Sequence, residues 1–196
     1  PGAAMKRLLV CLLLVGVVGC GESDADAVDA LKALGCHIKK NEQGEVVHIM
    51  FAGSQHVNDG AWLPHLKGLT GLQELRFELT EITDAGLVHL KGLTNLQGLD
   101  LGQTKITDAG LVHLKELTKL KRLNLGGNGI RISDAGLVHL KGLTNLQELG
   151  IEGNAVSVVG LAHLEGLSKL RRLDLGETGI TDVEIAYLKR VSKLQS

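Results

Sequence analysis

The sequence predicts an α/β solenoid, an arc with a parallel β-sheet on its inner side and short helices on its outer side. The stretch from Leu93 to Glu116, LTNLQGLDLGQTKITDAGLVHLKE, recurs with its leucines in register through residues 45–196, and such repetition is typical of solenoids. Leu99 and Leu101 have the two-residue period of a strand with one buried face. Leu111 and Leu114 lie three residues apart, which is the spacing of a helix.

The repeated units are aligned by these leucines. The units are Glu45 to Gly68, Leu69 to Gly92, Leu93 to Glu116, Leu117 to Gly142, Leu143 to Gly166 and Leu167 to Arg190, followed by the fragment Val191 to Ser196. Six units exceed the roughly three that such arrays need for stability. We expect each short helix to be capped by Thr107 or Asp108, or their equivalents, and to depend on packing, since it is too short to be stable alone.

The pattern LxxLxxLxLxxTxITDAGLxxLKGL resembles the leucine-rich repeat. The ITDAGL segment is similar to short repeats of many bacterial proteins and, more distantly, to the cysteine-containing class in F-box proteins. The resemblance covers residues 45–196 and specifies the fold much more than the function. It also implies an interior ladder of side chains that hydrogen-bond the turn backbone. These are Ser54, Thr80, Thr104, Asn128, Asn154 and Thr178.

Residues 1–19 have the organisation of an upstream extension and a signal peptide. Lys6 and Arg7 precede the apolar run 8–18, which is shorter than the roughly twenty residues of a transmembrane helix. Val17-Val18-Gly19-Cys20 resembles the bacterial lipobox, which implies that Cys20 carries acyl chains and anchors the protein in a membrane of the cell envelope. The alternative is an ordinary signal peptide in which Cys20 is incidental.

Residues 20–44 are predicted to hold the lipidated N-terminus, a linker and a cap for the first repeat. The cap consists of a helix from Ser23 to about Leu34, ended by Gly35, and a hairpin whose second strand, within 45–51, opens the repeat array. Cys36 is left without a cysteine partner if Cys11 and Cys20 belong to the leader and its processing site. An inert buried thiol is favoured over a reactive or intermolecular one.

The outward strand positions form the candidate partner surface, because leucine-rich repeats usually bind partners on the concave face. The candidates are Glu74, Arg76, Glu78, Asp100, Arg122, Asn124, Glu148, Glu152, Arg172 and Asp174, with Arg131 added from the insertion described below. The glycines among the outward positions are interpreted as compact residues at strand ends. The face is mildly anionic, which permits a basic or polar protein or polysaccharide partner and argues against nucleic acid. A solvated face, with partners docking at an edge or cap, is the alternative.

Two further columns and two irregularities run along the repeats. The columns are His65, His89, His113, His139 and His163, continued by Tyr187, and Lys67, Lys91, Lys115, Lys141 and Lys189, interrupted by Glu165. The histidines are interpreted as a copied helix residue in preference to a metal site. The lysines are interpreted as a solvated face in preference to a lipid-binding one. The fourth unit has two extra residues around 128–132, and Ser157-Val158-Val159-Gly160 replaces TDAG in the fifth. For the insertion, loop drift is favoured over a binding role.

No catalytic constellation, metal cluster or phosphate-binding loop is visible in the units. The sequence therefore predicts a non-enzymatic binding scaffold without a cofactor. The alternatives are an intracellular F-box-like adaptor, which residues 1–44 do not support, and a truncated repeat fragment without function. The sequence stops before the strand of a seventh unit, and from this we expect an unpaired strand around 173–175 that favours edge-to-edge self-association.

Overall fold

The computed structural model describes residues 24–51, 57–59, 62–129 and 131–191, and the side chains of all of these except 24–26, 30 and 187–191. The predicted leader, Cys20, Ser23 and Ser54 lie outside the described residues. No helix within the described residues is long and apolar enough to cross a membrane.

The N-terminal cap has the predicted helix and hairpin. Helix α1 (Asp24–Ala33) buries Val28 and Leu31, and Gly35 follows it with a left-handed φ of 79°. Strand β1 (His37–Lys40) pairs antiparallel with β2 (Val46–Met50). The Cys36 thiol donates a hydrogen bond to the Leu31 carbonyl at 3.0 Å, and burial raises the pKa of the thiol to about 11. The thiol is therefore buried as predicted, and its raised pKa disfavours the reactive thiolate.

The aromatic side chains concentrate where the cap meets the repeats. Phe51, Trp62 and Phe77 are buried, and their ring centroids lie 4.7 to 5.9 Å apart. They include both phenylalanines and the one tryptophan of the sequence. In the later units, leucine and isoleucine fill the core in place of aromatic side chains.

Each later unit contributes a three-residue strand and a convex segment. The strands are β3 (Glu74–Arg76), β4 (Gly98–Asp100), β5 (Arg122–Asn124), β6 (Glu148–Gly150) and β7 (Arg172–Asp174). The α-helices are α2 (Asp84–Leu87), α3 (Asp108–Leu111), α4 (Asp134–Leu137), α5 (Val158–Leu161) and α6 (Asp182–Val191). The 3-10 helices are η1 (Leu63–Gly68), η2 (Val88–Leu90), η3 (Val112–Leu114), η4 (Val138–Leu140) and η5 (Ala162–Leu164).

The convex segment differs from the single short helix that we predicted. In four units it is one α-helical turn followed by one 3-10 turn, whereas in the last unit α6 is ten residues long. The cap of α3 is Thr107 and not Asp108, because the Thr107 hydroxyl accepts the hydrogen bond from the Ala109 N–H at 3.2 Å.

The sheet has the order β1 to β7, antiparallel between β1 and β2 and parallel thereafter. Register is kept from unit to unit: Leu75, Leu99 and Leu123 lie side by side, and Leu149 and Leu173 continue the row. All are buried except Leu173, which is half-buried in β7, the last strand of the described part of the chain. The predicted solenoid with a concave parallel sheet is confirmed.

The interior polar ladder is also confirmed for the five of its members that are described. Thr80, Thr104 and Thr178 each donate their hydroxyl to the carbonyl three residues earlier, at 2.6 to 2.8 Å. Asn128 donates to the Leu125 and Leu101 carbonyls, and Asn154 likewise bridges its own unit and the preceding one. These bonds satisfy turn carbonyls next to side chains that are buried at Thr80, Thr104, Asn128 and Asn154 and partly buried at Thr178.

A second ladder, which the sequence reasoning missed, joins the convex turns. We call it the carboxylate ladder: Asp59, Asp84, Asp108 and Asp134 each accept two hydrogen bonds, from the backbone N–H and the hydroxyl of Thr83, Thr107, Ser133 and Ser157 in the next unit. In the Asp84–Thr107 pair the two distances are 2.8 and 2.6 Å. Each aspartate thus fixes the residue that caps the next helix.

The carboxylate ladder explains the glycine of the TDAG segment. A Cβ added at Gly110 lies 2.3 Å from an Asp84 carboxylate oxygen, and Gly136 and Gly160 have the same relation to Asp108 and Asp134. The glycine is therefore required wherever the preceding unit supplies the aspartate.

The altered fifth unit changes this arrangement. Val158 stands where the ladder needs an aspartate, and Glu184 stands where the next unit would hold the glycine. The Glu184 carboxylate accepts from the N–H and hydroxyl of Thr181 at 2.8 and 2.9 Å. A carboxylate within the last unit has thus taken over the role of the missing one, so this irregularity has a structural explanation.

Candidate functional site: the concave face of the sheet

The outward strand residues form two rows across the sheet. One row runs Glu74, Gly98, Arg122, Glu148 and Arg172, and the other runs Arg76, Asp100, Asn124, Gly150 and Asp174. Parallel strands lie about 4.8 Å apart, so each row spans roughly 20 Å. The structure therefore brings nine of the predicted positions onto one surface when Glu152, just after β6, is added.

Gly98 allows a charge pair to form across it. The Glu74 carboxylate and the Arg122 guanidinium belong to strands on either side of β4 and form a salt bridge. A Cβ at Gly98 would lie 2.1 Å from the Glu74 carboxylate. Gly126 likewise leaves room for the Glu152 carboxylate, which would lie 1.9 Å from a Cβ added there. These glycines are more than compact strand-end residues, because they let long charged side chains lie flat on the sheet.

Three polar candidates hold the turns that follow their own strands. Asp100, Asn124 and Asp174 each accept a hydrogen bond from the N–H two residues later, at 2.9 to 3.2 Å. Asn124 also donates to Asp100 at 3.0 Å. Their side chains stabilise the sheet edge, so they are weaker candidates for direct partner contact than the sequence suggested.

The remaining charges flank a shallow depression of about 350 Å³ in the centre of the face. It is lined by four charged side chains that have no polar side-chain partner within the described residues: Arg76, Glu148, Glu152 and Arg172. None of the residues that line the depression is aromatic. Unpaired charges of both signs, spread along the sheet, suit a polar partner of complementary charge pattern.

Two candidates lie away from this depression. Glu78 is exposed beyond the end of β3. Arg131, in the insertion, lines a second depression of about 330 Å³ on the turns after the strands and donates to the Thr104 carbonyl at 3.2 Å. Lys105 in the same depression forms a salt bridge with Glu81.

The histidine column lies on the convex side and is half-buried, as expected for a helix residue copied with its repeat. Burial, followed by the charge of Lys67, lowers the pKa of His89, and burial followed by Lys115 lowers that of His139. Asp59 and Asp108 oppose these shifts. Across the described ranges no three His, Cys, Asp or Glu side chains are placed to hold a metal ion. The side chains of Tyr187 and Lys189 lie outside the described ones.

Comparison with known proteins supports the repeat architecture. The profile of the Leucine Rich repeat family matches residues 92–115 and 116–140. A search of the curated proteins found no match.

Solved structures extend the likeness to most of the chain. Internalin C2 from Listeria monocytogenes str. 4b F2365 is 21% identical with a TM-score of 0.50, over 86% of this chain and 89% of that one. An internalin (inlF) from the same strain is 27% identical with a TM-score of 0.46, over 65% of this chain and 42% of that one. The PEPR1–AtPEP1 structure is 19% identical with a TM-score of 0.48, over 70% of this chain and 19% of that one. The likeness to internalin C2 establishes a shared fold.

Proposed function

We propose that this leucine-rich-repeat protein is a non-enzymatic scaffold of the bacterial envelope, anchored by lipid at Cys20, that binds a partner protein on its concave face. The binding role rests on one observation. The central depression is flanked by four charged side chains that have no side-chain partners among the described residues, namely Arg76, Glu148, Glu152 and Arg172. Charged groups left unpaired on a rigid sheet favour a partner that supplies complementary charges. A polysaccharide with charged groups is the alternative partner.

The scaffold role is supported by how the other polar groups are used. The interior ladder and the carboxylate ladder engage the repeated threonine, asparagine and aspartate side chains in holding adjacent units together. The concave charges contribute to neither ladder. The sheet thus presents side chains that vary from unit to unit, whereas the backbone keeps the same register throughout.

Crosslinking in the native envelope tests the binding role. Arg76→Glu combined with Arg172→Glu should abolish the main crosslinked product, because both guanidiniums border the depression. Lys67→Glu combined with Lys91→Glu changes net charge equally on the convex side, away from the depression, and should leave the product unchanged. Equal yields from both double variants would contradict binding at the concave face. Mass spectrometry of the product distinguishes a protein from a polysaccharide.

Membrane fractionation tests the anchor. The lipobox resemblance of residues 17–20 and the preceding apolar run support lipidation at Cys20. Cys20→Ser should move the protein to the soluble fraction, since stable anchoring needs the acyl chains. Cys36→Ala alters a buried cysteine outside the lipobox and serves as the control that should stay with the membrane. Membrane association of Cys20→Ser equal to that of the control would reject the anchor.

A further inference from the structure

We propose that an anionic lipid surface binds one edge of the solenoid, through a group of cations that we call the cationic edge. The cationic edge consists of Lys119, Lys121, Lys169 and Arg171, all exposed in the turns that lead into β5 and β7. The fourth unit supplies two of these cations and the sixth unit supplies the other two. The sequence signal is KLKR and KLRR at 119–122 and 169–172, where neighbouring units read NLQG or NLQE.

Neutral amide groups hold the lysines of the cationic edge in place. Lys119 donates to the Asn95 side-chain oxygen at 2.7 Å, and Lys169 donates to that of Asn145 at 2.6 Å. Both asparagines in turn donate to a backbone carbonyl of the preceding unit, at 2.9 Å. Lys121 donates to the Gln97 side-chain oxygen at 2.8 Å. Since an amide carries no charge, these contacts position the ammonium groups without neutralising them.

The opposite edge of the sheet has the opposite sign. Among the described residues, four glutamates lie there, Glu78, Glu81, Glu152 and Glu177, against two cations. Of the cations, Lys105 is paired with Glu81, and Arg131 donates to the Thr104 carbonyl. The formal net charge of the whole chain is only -1. The near-neutral total therefore conceals a separation of charge between the two edges.

The arrangement fits a surface of separate headgroups better than a single acidic chain. In-register parallel strands place the cations of the fourth and sixth units about 10 Å apart along the edge. Both depressions lie elsewhere, on the concave face and on the opposite edge, so neither of them guides a chain here. Lys115 and Lys141 extend the positive charge at the ends of η3 and η4. Of the carboxylates in these turns, Glu116 pairs with Lys91 at 3.7 Å, and Glu165 is exposed.

The inference rests on the proposed function only in that the anchor at Cys20 would bring this edge to a bilayer. A basic residue at an anionic bilayer contributes about 1 kcal/mol, or roughly a five-fold gain in binding. Four such residues therefore give a preference that vesicle experiments measure without any lipid anchor.

Vesicle co-sedimentation at low salt tests the cationic edge with unlipidated full-length chain that carries Cys20→Ser. The vesicles are an equal mixture of phosphatidylglycerol and phosphatidylcholine, or phosphatidylcholine alone. Changing Lys119, Lys121, Lys169 and Arg171 together to Gln should weaken binding to the anionic vesicles by at least about a hundredfold. Binding to phosphatidylcholine alone should not change, because the apolar run 8–18 is the same in both proteins.

A second quadruple variant is the matched control. Changing Lys32, Lys39, Lys40 and Lys105 to Gln alters net charge by the same amount outside the cationic edge, since the first three lie in the N-terminal cap and Lys105 on the opposite edge. This variant should bind anionic vesicles about as well as the parent chain. Equal losses in both variants, or no preference of the parent chain for anionic vesicles, would overturn the proposal. Binding of soluble polyglutamate without binding of anionic vesicles would also overturn it, in favour of an acidic chain. Failure of the anchor at Cys20 leaves these results unaffected.

Discussion

Gly110 shows how one residue without a side chain determines the packing between units. Its position beneath the Asp84 carboxylate leaves no room for a Cβ, since the added atom would lie 2.3 Å from the carboxylate oxygen. A larger residue must displace Asp84 from the N–H and hydroxyl of Thr107. We expect Gly110→Ala to lower the free energy of unfolding by about 2 kcal/mol.

Gly142 is the matched control for this prediction. A Cβ added at Gly142 would have no atom within 4 Å, and the residue has no left-handed φ, so Gly142→Ala should change stability little. Urea denaturation followed by circular dichroism measures both variants. A Gly110→Ala protein as stable as Gly142→Ala would show that the carboxylate ladder does not constrain the glycine.

His89 and His139 make the free energy of unfolding depend on pH. Their pKa values in the folded protein lie below the usual 6.5, chiefly because burial disfavours the charged ring. The unfolded chain therefore takes up protons first as the pH falls. Protonation of these two histidines lowers the free energy of unfolding below about pH 6.5 and has no effect well above it. We expect His89→Gln combined with His139→Gln to flatten the fall in unfolding free energy between about pH 7 and pH 5. An unchanged slope in denaturation series at those pH values would contradict this.

At the scale of elements, the carboxylate ladder is interrupted between the fifth unit and the sixth, where a carboxylate within the sixth unit replaces it. Val158 and Glu184 replace the aspartate and the glycine of the repeat in adjacent units. Val158 removes the carboxylate that would accept from Thr181, and Glu184 supplies one in its place. Val158→Asp should destabilise the native sequence, because two carboxylates then compete for Thr181. In the background of Glu184→Gly the same change should stabilise, because it restores the ladder.

A double-mutant cycle measures this change of sign. The two single variants, the double variant and the parent chain are compared by urea denaturation, and the expected result is a favourable coupling between the two substitutions. Additive effects would show that Glu184 does not replace the missing aspartate. Acid should weaken the contribution of Glu184, because hydrogen bonds from Thr181 lower the pKa of its carboxyl and the stabilisation is lost as pH falls through that value.

Periodicity predicted the elements well because the buried leucines set both periods. Leu99 and Leu101 identified the strand, and Leu111 and Leu114 identified a helical segment. The division of that segment into an α turn and a 3-10 turn was not predictable, because both helices place residues three apart on one face. The carboxylate ladder was missed because its partners lie 23 to 25 residues apart in different units.

For the whole molecule, the sequence predicted the concave surface but not which of its charges are free. Strand register follows from the repeat, so the outward positions were identifiable. The Glu74–Arg122 salt bridge was not, because it joins residues 48 apart across a glycine of a third strand. The cationic edge was missed because its residues lie in the turns before two alternate strands and do not recur in every unit.

Self-association through β7 stays a prediction at this scale. Leu173 and Leu175 are half-buried, whereas their equivalents in the preceding units are buried. Pairing of β7 with a second copy would cover them. Multi-angle light scattering of the unlipidated protein should show a dimer whose fraction rises with concentration; a monomer at every concentration would contradict edge pairing.

Site-specific photo-crosslinking in the envelope tests most directly whether the concave face is the working surface. A photoreactive amino acid in place of Glu148 lies exposed beside the central depression, and one in place of Ala135 lies exposed on the convex side. Partner binding at the concave face predicts one discrete adduct from position 148 and none from position 135. An adduct from position 135 alone, or none from either position, would contradict it.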